Sequence, residues 1–164
     1  MLSPRRSAAL ALAAAPLLAA LLACGPSERT QQEAQTEVEE LLAAYLPALA
    51  EYYRTGDSEH VEGLAAPRER DRVESLIRGR AQEGMVIDAT LQRFEIDRFD
   101  LYQHSNALLS TREVWDLRLR AAGSDRIIQE ELGKTDLYRY QVKRDDDGGW
   151  IVLSREVAAP PAGG

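Results

Sequence analysis

The chain has a single cysteine, Cys24, in 164 residues. No internal disulfide can form, so packing must hold the fold. Zinc sites built from four cysteines, or from a pair of cysteines with a pair of histidines, are excluded by count. Histidine is almost as scarce, with only His60 and His104. His60 has Asp57 and Glu59 beside it, but near neighbours on a helix point in different directions and make a poor ligand set. His104 precedes Ser105-Asn106, a turn composition, and reads as exposed. There is no Gly-x-Ser-x-Gly, so a nucleophile elbow is missing. Lysine and arginine do not cluster free of acids: the densest stretch, Arg68 to Arg80, is interleaved with Glu69, Asp71 and Glu74. With a formal net charge of −7, the surface suits neither nucleic acid nor anionic lipid. Asp145-Asp146-Asp147-Gly148-Gly149 lacks the spaced acids and distal glutamate of an EF-hand and reads as a hairpin turn. No repeat at a period of about 20–50 residues is visible. No metal site and no cofactor are expected.

What is present begins at the N-terminus. Arg5 and Arg6 precede Ala8 to Ala23, a run of Ala and Leu broken once by Pro16, and no acid occurs before Glu28. This is the order of a secretory signal, and the run is at the short end of what spans a bilayer. It closes on Leu21-Leu22-Ala23-Cys24, which resembles the bacterial lipobox. The resemblance implies cleavage between Ala23 and Cys24, diacylglycerol on the Cys24 sulfur, and a cell-envelope location. More than one acyl chain is needed for stable anchoring, and bacterial lipoproteins typically carry two or three. Gly25 stands where an Asp tends to hold lipoproteins at the inner membrane, so the outer membrane is mildly favoured. An ordinary secretory peptide or an uncleaved anchor are the alternatives.

Removal of residues 1–23 leaves about 140 residues, enough for one domain with a real core. It takes away two basic residues and no acid, so the net charge becomes about −9. Residues 24–36 are expected to be the lipidated cysteine and a polar tether, which as flexible coil spans roughly 20 Å. The domain is expected at 37–157, and residues 158–164, Pro/Gly/Ala in composition, as a disordered tail. Within the domain, Val38, Leu41, Leu42, Tyr45, Leu46, Leu49, Tyr52 and Tyr53 recur at helical steps. Thr36 is the expected cap, with Glu39 completing a capping box. Pro47 is expected to kink this helix, and Gly56 to end it. Asp57 or Ser58 caps a second, short helix through Ala66. Pro67 opens a third, with Val73, Leu76 and Ile77 inward, which Gly84 stops.

After Gly84 the period falls to two. Met85, Ile87, Ala89 and Leu91 share one face, then the inward set shifts to Phe94 and Ile96 and again to Phe99 and Leu101, so bulges are expected. Residues 106–120 form the next strand, with Trp115, Leu117 and Leu119 in one phase. Ile127 to Tyr140 alternates, with a break near Gly133. In the last strand Trp150, Val152 and Ser154 alternate against Ile151 and Leu153.

Helices first and an antiparallel meander after them define an α+β fold: three N-terminal helices, the first long and kinked, on a curved antiparallel sheet of four to five strands. The closing hairpin, Tyr138-Arg139-Tyr140-Gln141-Val142 and Gly149-Trp150-Ile151-Val152, resembles the nuclear-transport-factor-like superfamily, with its SnoaL-like and ketosteroid-isomerase-like members. It is also similar to the intermembrane-space domain of plastid-division proteins. A cystatin-like sheet with different helices is the competing architecture. The resemblance implies a cone around the long helix with an open pocket. Enzymes of this group use a carboxylate base and a tyrosine or acid donor, so Asp97, Asp100, Tyr102 and Tyr138 are the weak candidates here, and Tyr140 has the same chemistry. Beside Arg93, Arg98 and Arg112, the strand carboxylates read more simply as cross-strand ion pairs. The aromatic set Tyr45, Tyr52, Tyr53, Phe94, Phe99, Tyr138, Tyr140 and Trp150 reads chiefly as core. The function expected is binding without catalysis, of an envelope protein partner, a second copy or a small apolar ligand, with the membrane reached through Cys24. The alternative is an isomerase or hydrolase acting in the cone.

Overall fold

The computed structural model describes residues 28–158. The signal segment, Cys24 and residues 159–164 lie outside the described residues. Helix α1 runs Glu28–Thr55, and a one-turn 3-10 helix covers Ser58–Val61. Helix α2 runs Pro67–Gln82, followed by strands β1 (Met85–Tyr102), β2 (Asn106–Ala121), β3 (Ile127–Arg144) and β4 (Trp150–Val157). The strands form one antiparallel meander in the order β1-β2-β3-β4. The sheet curves around α1, and the fold is α+β as expected, with two α-helices rather than three and four strands. The second expected helix is the single 3-10 turn. Asp57 does cap it, accepting from the Glu59 N–H at 2.9 Å, but Gly63 at φ +73° follows at once.

Helix α1 starts within the stretch expected as tether. Ala34 continues the apolar period one turn upstream of Val38, and both are buried, so the packed face extends past Thr36. Thr36 is therefore an internal helical residue whose hydroxyl donates to the Gln32 carbonyl at 3.1 Å, not a cap. The helix continues through Pro47, which lies on its exposed side, and stops at Gly56, whose φ of +75° favours a residue without Cβ. Two side-chain ties fix its N-terminal half to the sheet. Gln31 donates to the Phe99 carbonyl at 3.3 Å, and Glu37 accepts from Trp150 Nε1 at 2.9 Å and from Arg144.

Curvature comes from bulges. Strand β1 slips register against β2 between Leu91 and Arg93 and again between Ile96 and Arg98. At each slip the inserted residue is polar, Gln92 or Asp97. The apolar set Ile87, Ala89, Leu91, Phe94, Ile96, Phe99 and Leu101 therefore stays on the core side throughout. A third slip sets Asp116 of β2 against Leu132 and Gly133 of β3. Gly133 takes φ +63°, and its N–H donates to Asp116 Oδ1 at 2.7 Å while Gln92 donates to Asp116 Oδ2 at 2.9 Å. The bulges of three strands are thus aligned across the sheet. The outer edge of β4 is latched by the loop before α2: Ala66 N–H donates to the Val152 carbonyl at 2.8 Å, and Val152 N–H to that of Leu64 at 2.9 Å.

The β1–β2 turn carries two consecutive left-handed residues, Gln103 at φ 52° and His104 at φ 60°. Two such positions are what a type I′ turn requires, and Asn-Gly is the pair that adopts them cheaply. Replacing Gln103→Asn together with His104→Gly is expected to stabilise the protein by about 1 kcal/mol. The reading is a higher urea midpoint at unchanged slope; a lower midpoint would contradict the strain.

Candidate functional site

Three charged side chains, Glu69, Glu113 and Arg155, lie in the core. The inward face of β2 reads Ala107, Leu109, Thr111, Glu113, Trp115, all buried. Glu69 sits one helical turn before Val73 on the buried stripe of α2. Arg155 arrives by a different route. Between Gln141 and Val142 the β3–β4 register slips, leaving Leu153 as the extra residue of β4. Trp150 and Val152 face inward as expected, but the slip reverses the phase. Arg155 points in rather than Ser154, and is only 6% exposed.

The three meet in one network. Glu113 is fully buried, and its carboxylate accepts from four donors. Oε1 takes Thr111 Oγ1 at 2.9 Å and the Tyr140 hydroxyl; Oε2 takes Trp115 Nε1 at 2.8 Å and Arg155 Nη2 at 2.6 Å. Arg155 Nε donates to the Tyr140 oxygen at 2.9 Å. The guanidinium lies 3.5 Å from the centre of the Tyr138 ring and 5.7 Å from that of Trp115, which adds cation–π attraction. The Arg155 backbone N–H donates to Glu69 Oε2 at 3.3 Å. Glu69 also accepts from the Tyr45 hydroxyl at 3.1 Å and from both Nε and Nη2 of Arg72, at 2.9 and 2.6 Å.

This arrangement decides what the carboxylates can do. A carboxylate has about four acceptor positions, and Glu113 has all of them engaged, one by a charge that is itself desolvated. It is not free to take a proton from a substrate. Burial pushes the Tyr140 hydroxyl well above its ordinary value, and the nearby Glu113 charge adds to this. Tyr45 behaves likewise beside Glu69. Burial works against the charge on Arg155, but Tyr140 and Glu113 more than offset it and hold the guanidinium above its usual range. Arg72 is raised too, first by its hydrogen bonds to Glu69.

Above this plug, toward the β2–β3 hairpin, the cone opens into a cavity of about 250 Å³. Leu76, Ile87, Leu117 and Leu119 supply apolar wall, and Trp115, Tyr138 and Arg155 are its deepest lining residues, being nearly buried. Of the sequence candidates, only Tyr138 lines it. Asp97 is the bulge residue of β1 and pairs with Arg112 at 3.2 Å; Asp100 pairs with Arg98 at 2.6 Å. Tyr102 is 47% exposed at the far end of β1. The four therefore do not converge. His60 and His104 are both exposed, and no group of three or more metal-ligating side chains occurs among the described residues. Asp145 organises the β3–β4 turn, accepting from the N–H groups of Asp147 and Gly149.

The sequence reading missed Glu69, Glu113 and Arg155. For the first two a signal existed, an acid in the apolar phase of a strand or helix. Nothing in the sequence announces the slip at Leu153.

No protein-family model matches the chain, and no curated protein is a significant match. Solved structures do match. The intermembrane space region of chloroplast protein ARC6 superposes with a TM-score of 0.65 at 17% identity, covering 76% of this chain and 96% of that one. A protein from Catenulispora acidiphila gives 0.52 at 15%, with 79% and 94% covered. An Ntf2-like protein involved in plasmid conjugation gives 0.51 at 12%, with 82% of this chain but only 51% of that chain covered. At these identities the likeness is one of fold: the chain has the nuclear-transport-factor-like cone. Its interior in this instance is closed by the Glu113–Arg155 plug.

Removing one member of a buried ion pair strands the other charge and costs about 3–5 kcal/mol. Glu113→Gln and Arg155→Met are each expected to destabilise the fold by that order, and the double variant by at least about 2 kcal/mol less than their sum. Strict additivity in denaturant unfolding would contradict the pairing. The tyrosines give a pH test. Burial raises Tyr45, Tyr52, Tyr138 and Tyr140. Their folded values exceed the unfolded value of about 10, so their contribution is complete below that pH and is lost as pH rises through the raised values. Tyrosinate absorbance is expected to show these four ionising above about pH 10 or with unfolding, Tyr45 and Tyr140 last. Titration of all six tyrosines at the unfolded value in a folded chain would contradict their burial.

Proposed function

We propose that this chain is a lipid-anchored protein of the bacterial cell envelope whose cone domain binds a small, largely apolar ligand at its mouth, without catalysis. The observation that carries the binding part is the division of the cone into a sealed polar floor and an open cavity with apolar walls. A reaction chamber would need an inward carboxylate with spare acceptor capacity, and Glu113 has none. The isomerase or hydrolase alternative therefore has less support than binding. A cavity of about 250 Å³ lies just below the size of drug-sized sites, roughly 300–1,000 Å³, and suits a small metabolite better than a protein segment.

Anchoring rests on Leu21-Leu22-Ala23-Cys24 and the Ala/Leu run before it. Among the described residues no helix is long and apolar enough to cross a membrane. The ARC6 structure is of a region that lies in an intermembrane space, a compartment in keeping with an envelope domain.

Fractionation of a bacterial host making the full chain is expected to place it with membranes, with a diacylglycerol-bearing Cys24 in intact-mass spectra. Cys24→Ser should remove the lipid mass; an unmodified Cys24 in the wild type would refute the anchor. Native mass spectrometry of the purified chain tests the ligand. A reproducible small-molecule mass on the monomer is expected. A bare chain, or a clean dimer in which the cavity is covered, would overturn the ligand-binding reading.

A further inference from the structure

The residues lining the mouth cavity are richer in cations than the molecule as a whole. The chain as a whole carries −7, yet the charged residues lining the cavity are Arg80, Arg118, Lys134 and Arg155 against the single acid Glu131. The three rim cations have carboxylate neighbours: Glu83 for Arg80 at 2.9 Å, Glu130 for Arg118 at 2.6 Å, and Glu131 and Asp136 for Lys134 at 3.2 and 3.5 Å. Such exposed pairs are weak and exchange readily, and with their carboxylates counted the rim carries no positive excess. The specific element is deeper. Arg155 spends Nε on Tyr140 and Nη2 on Glu113, and Nη1 has no hydrogen-bond partner among the described residues. Nη1 is also not among the polar atoms sealed without a partner, so it reaches open space, and the cavity is the open space that Arg155 lines. The same holds for the hydroxyls of Tyr138, a residue only 8% exposed, and of Tyr53; both line the cavity, and neither hydroxyl has a partner among the described residues.

We propose that the mouth selects a small apolar monocarboxylate. Its head accepts hydrogen bonds from Arg155 Nη1 and the Tyr138 hydroxyl, and its body lies against Leu76, Ile87, Leu117 and Leu119. This rests on the ligand-binding reading of the mouth and adds the ligand's charge and polarity to it. A carboxylate fits for three reasons. Donors face the cavity where acceptors are scarce. The guanidinium that supplies one donor is held rigid by Glu113 and by the Tyr138 ring, so little entropy is lost on binding. Arg155 is already neutralised by Glu113, so the head is held by directed hydrogen bonds rather than by the pull of a bare buried cation. The cavity of about 250 Å³ limits the ligand to about eight or nine non-hydrogen atoms, since one water-sized unit takes roughly 30 Å³. For a ligand of that size a dissociation constant between about 10 µM and 1 mM is expected.

The test uses benzoate and its neutral isostere benzamide, titrated calorimetrically into the full-length chain in a non-ionic detergent. Benzoate is expected to bind at least tenfold tighter than benzamide. Tyr138→Phe should weaken benzoate about fivefold and leave benzamide unchanged. Because Arg155→Met alone strands Glu113, the paired Glu113→Gln/Arg155→Met variant is used, with circular dichroism confirming its fold; it should lose the preference for benzoate. Equal or tighter binding of benzamide by the wild type would overturn the carboxylate proposal while leaving the mouth as a ligand site. A preference that survives in the folded paired variant would likewise overturn it. Binding of neither probe at millimolar concentration would overturn it too, and the ligand-binding reading would then stand or fall on the mass found on the monomer.

Discussion

The structure depends on one buried ion pair, Glu113 with Arg155. Two charges brought into a protein interior need good geometry and further hydrogen bonds to be stable, and the cone engages every acceptor position of Glu113 and both Nε and Nη2 of Arg155. Thr111 and Trp115 flank Glu113 on its own strand, Tyr140 reaches it from the neighbouring strand, and Arg155 reaches it from β4. Four side chains from three strands are thereby tied to one carboxylate. Glu69 extends the tie to both helices, through Tyr45 of α1 and Arg72 of α2. An apolar core of the same volume would be about as stable or more so. What the polar plug adds is a single register for β4 and a floor that stops the cone from being a deep chamber.

Bulges make that placement possible. Without the slip at Leu153, Arg155 would face solvent and Ser154 would stand beneath Glu113, with no charge to meet it. The aligned slips at Gln92, Asp116 and Gly133 bend the sheet, and the cavity lies beside this bend, lined by Trp115, Leu117, Glu131 and Lys134. The plug and the cavity therefore both rest on irregularities of pairing. A flat, in-register sheet of the same residues would bring neither Arg155 to Glu113 nor the walls of the mouth together.

Much of the fold was legible because it is written in periodicity. Helix α1 announces itself from Val38 to Tyr53, and the two slips of β1 could be read from the shift of the apolar set between Leu91 and Phe99, because each slip keeps hydrophobic residues inward. The site was less legible. Asp97 and Asp100, acids flanked by arginines on β1, form ion pairs with Arg112 and Arg98 and lie away from the cavity. The informative acids were Glu69 and Glu113, which break an apolar pattern with a residue that is costly to bury. Tyr138 was named for its chemistry and does line the cavity. Arg155 was out of reach: with Trp150, Val152 and Ser154 in one phase, plain alternation puts it outside, and the slip depends on pairing with β3. Thr36 misled as a cap because Ala34, small and only weakly apolar, hid the helix's true extent.

The central claim is that Glu113, with its acceptors fully engaged, and Arg155 form a permanent floor rather than a working acid and its partner. Nitrogen-15 NMR of the arginine side chains tests it most directly. Arg155 is expected to show a Nε–H protected from exchange and Nη protons resolved by frozen rotation, unlike those of exposed Arg78. An averaged Arg155 signal in rapid exchange with water would mean that the pair opens, and that the carboxylate beneath the mouth is available to a ligand after all.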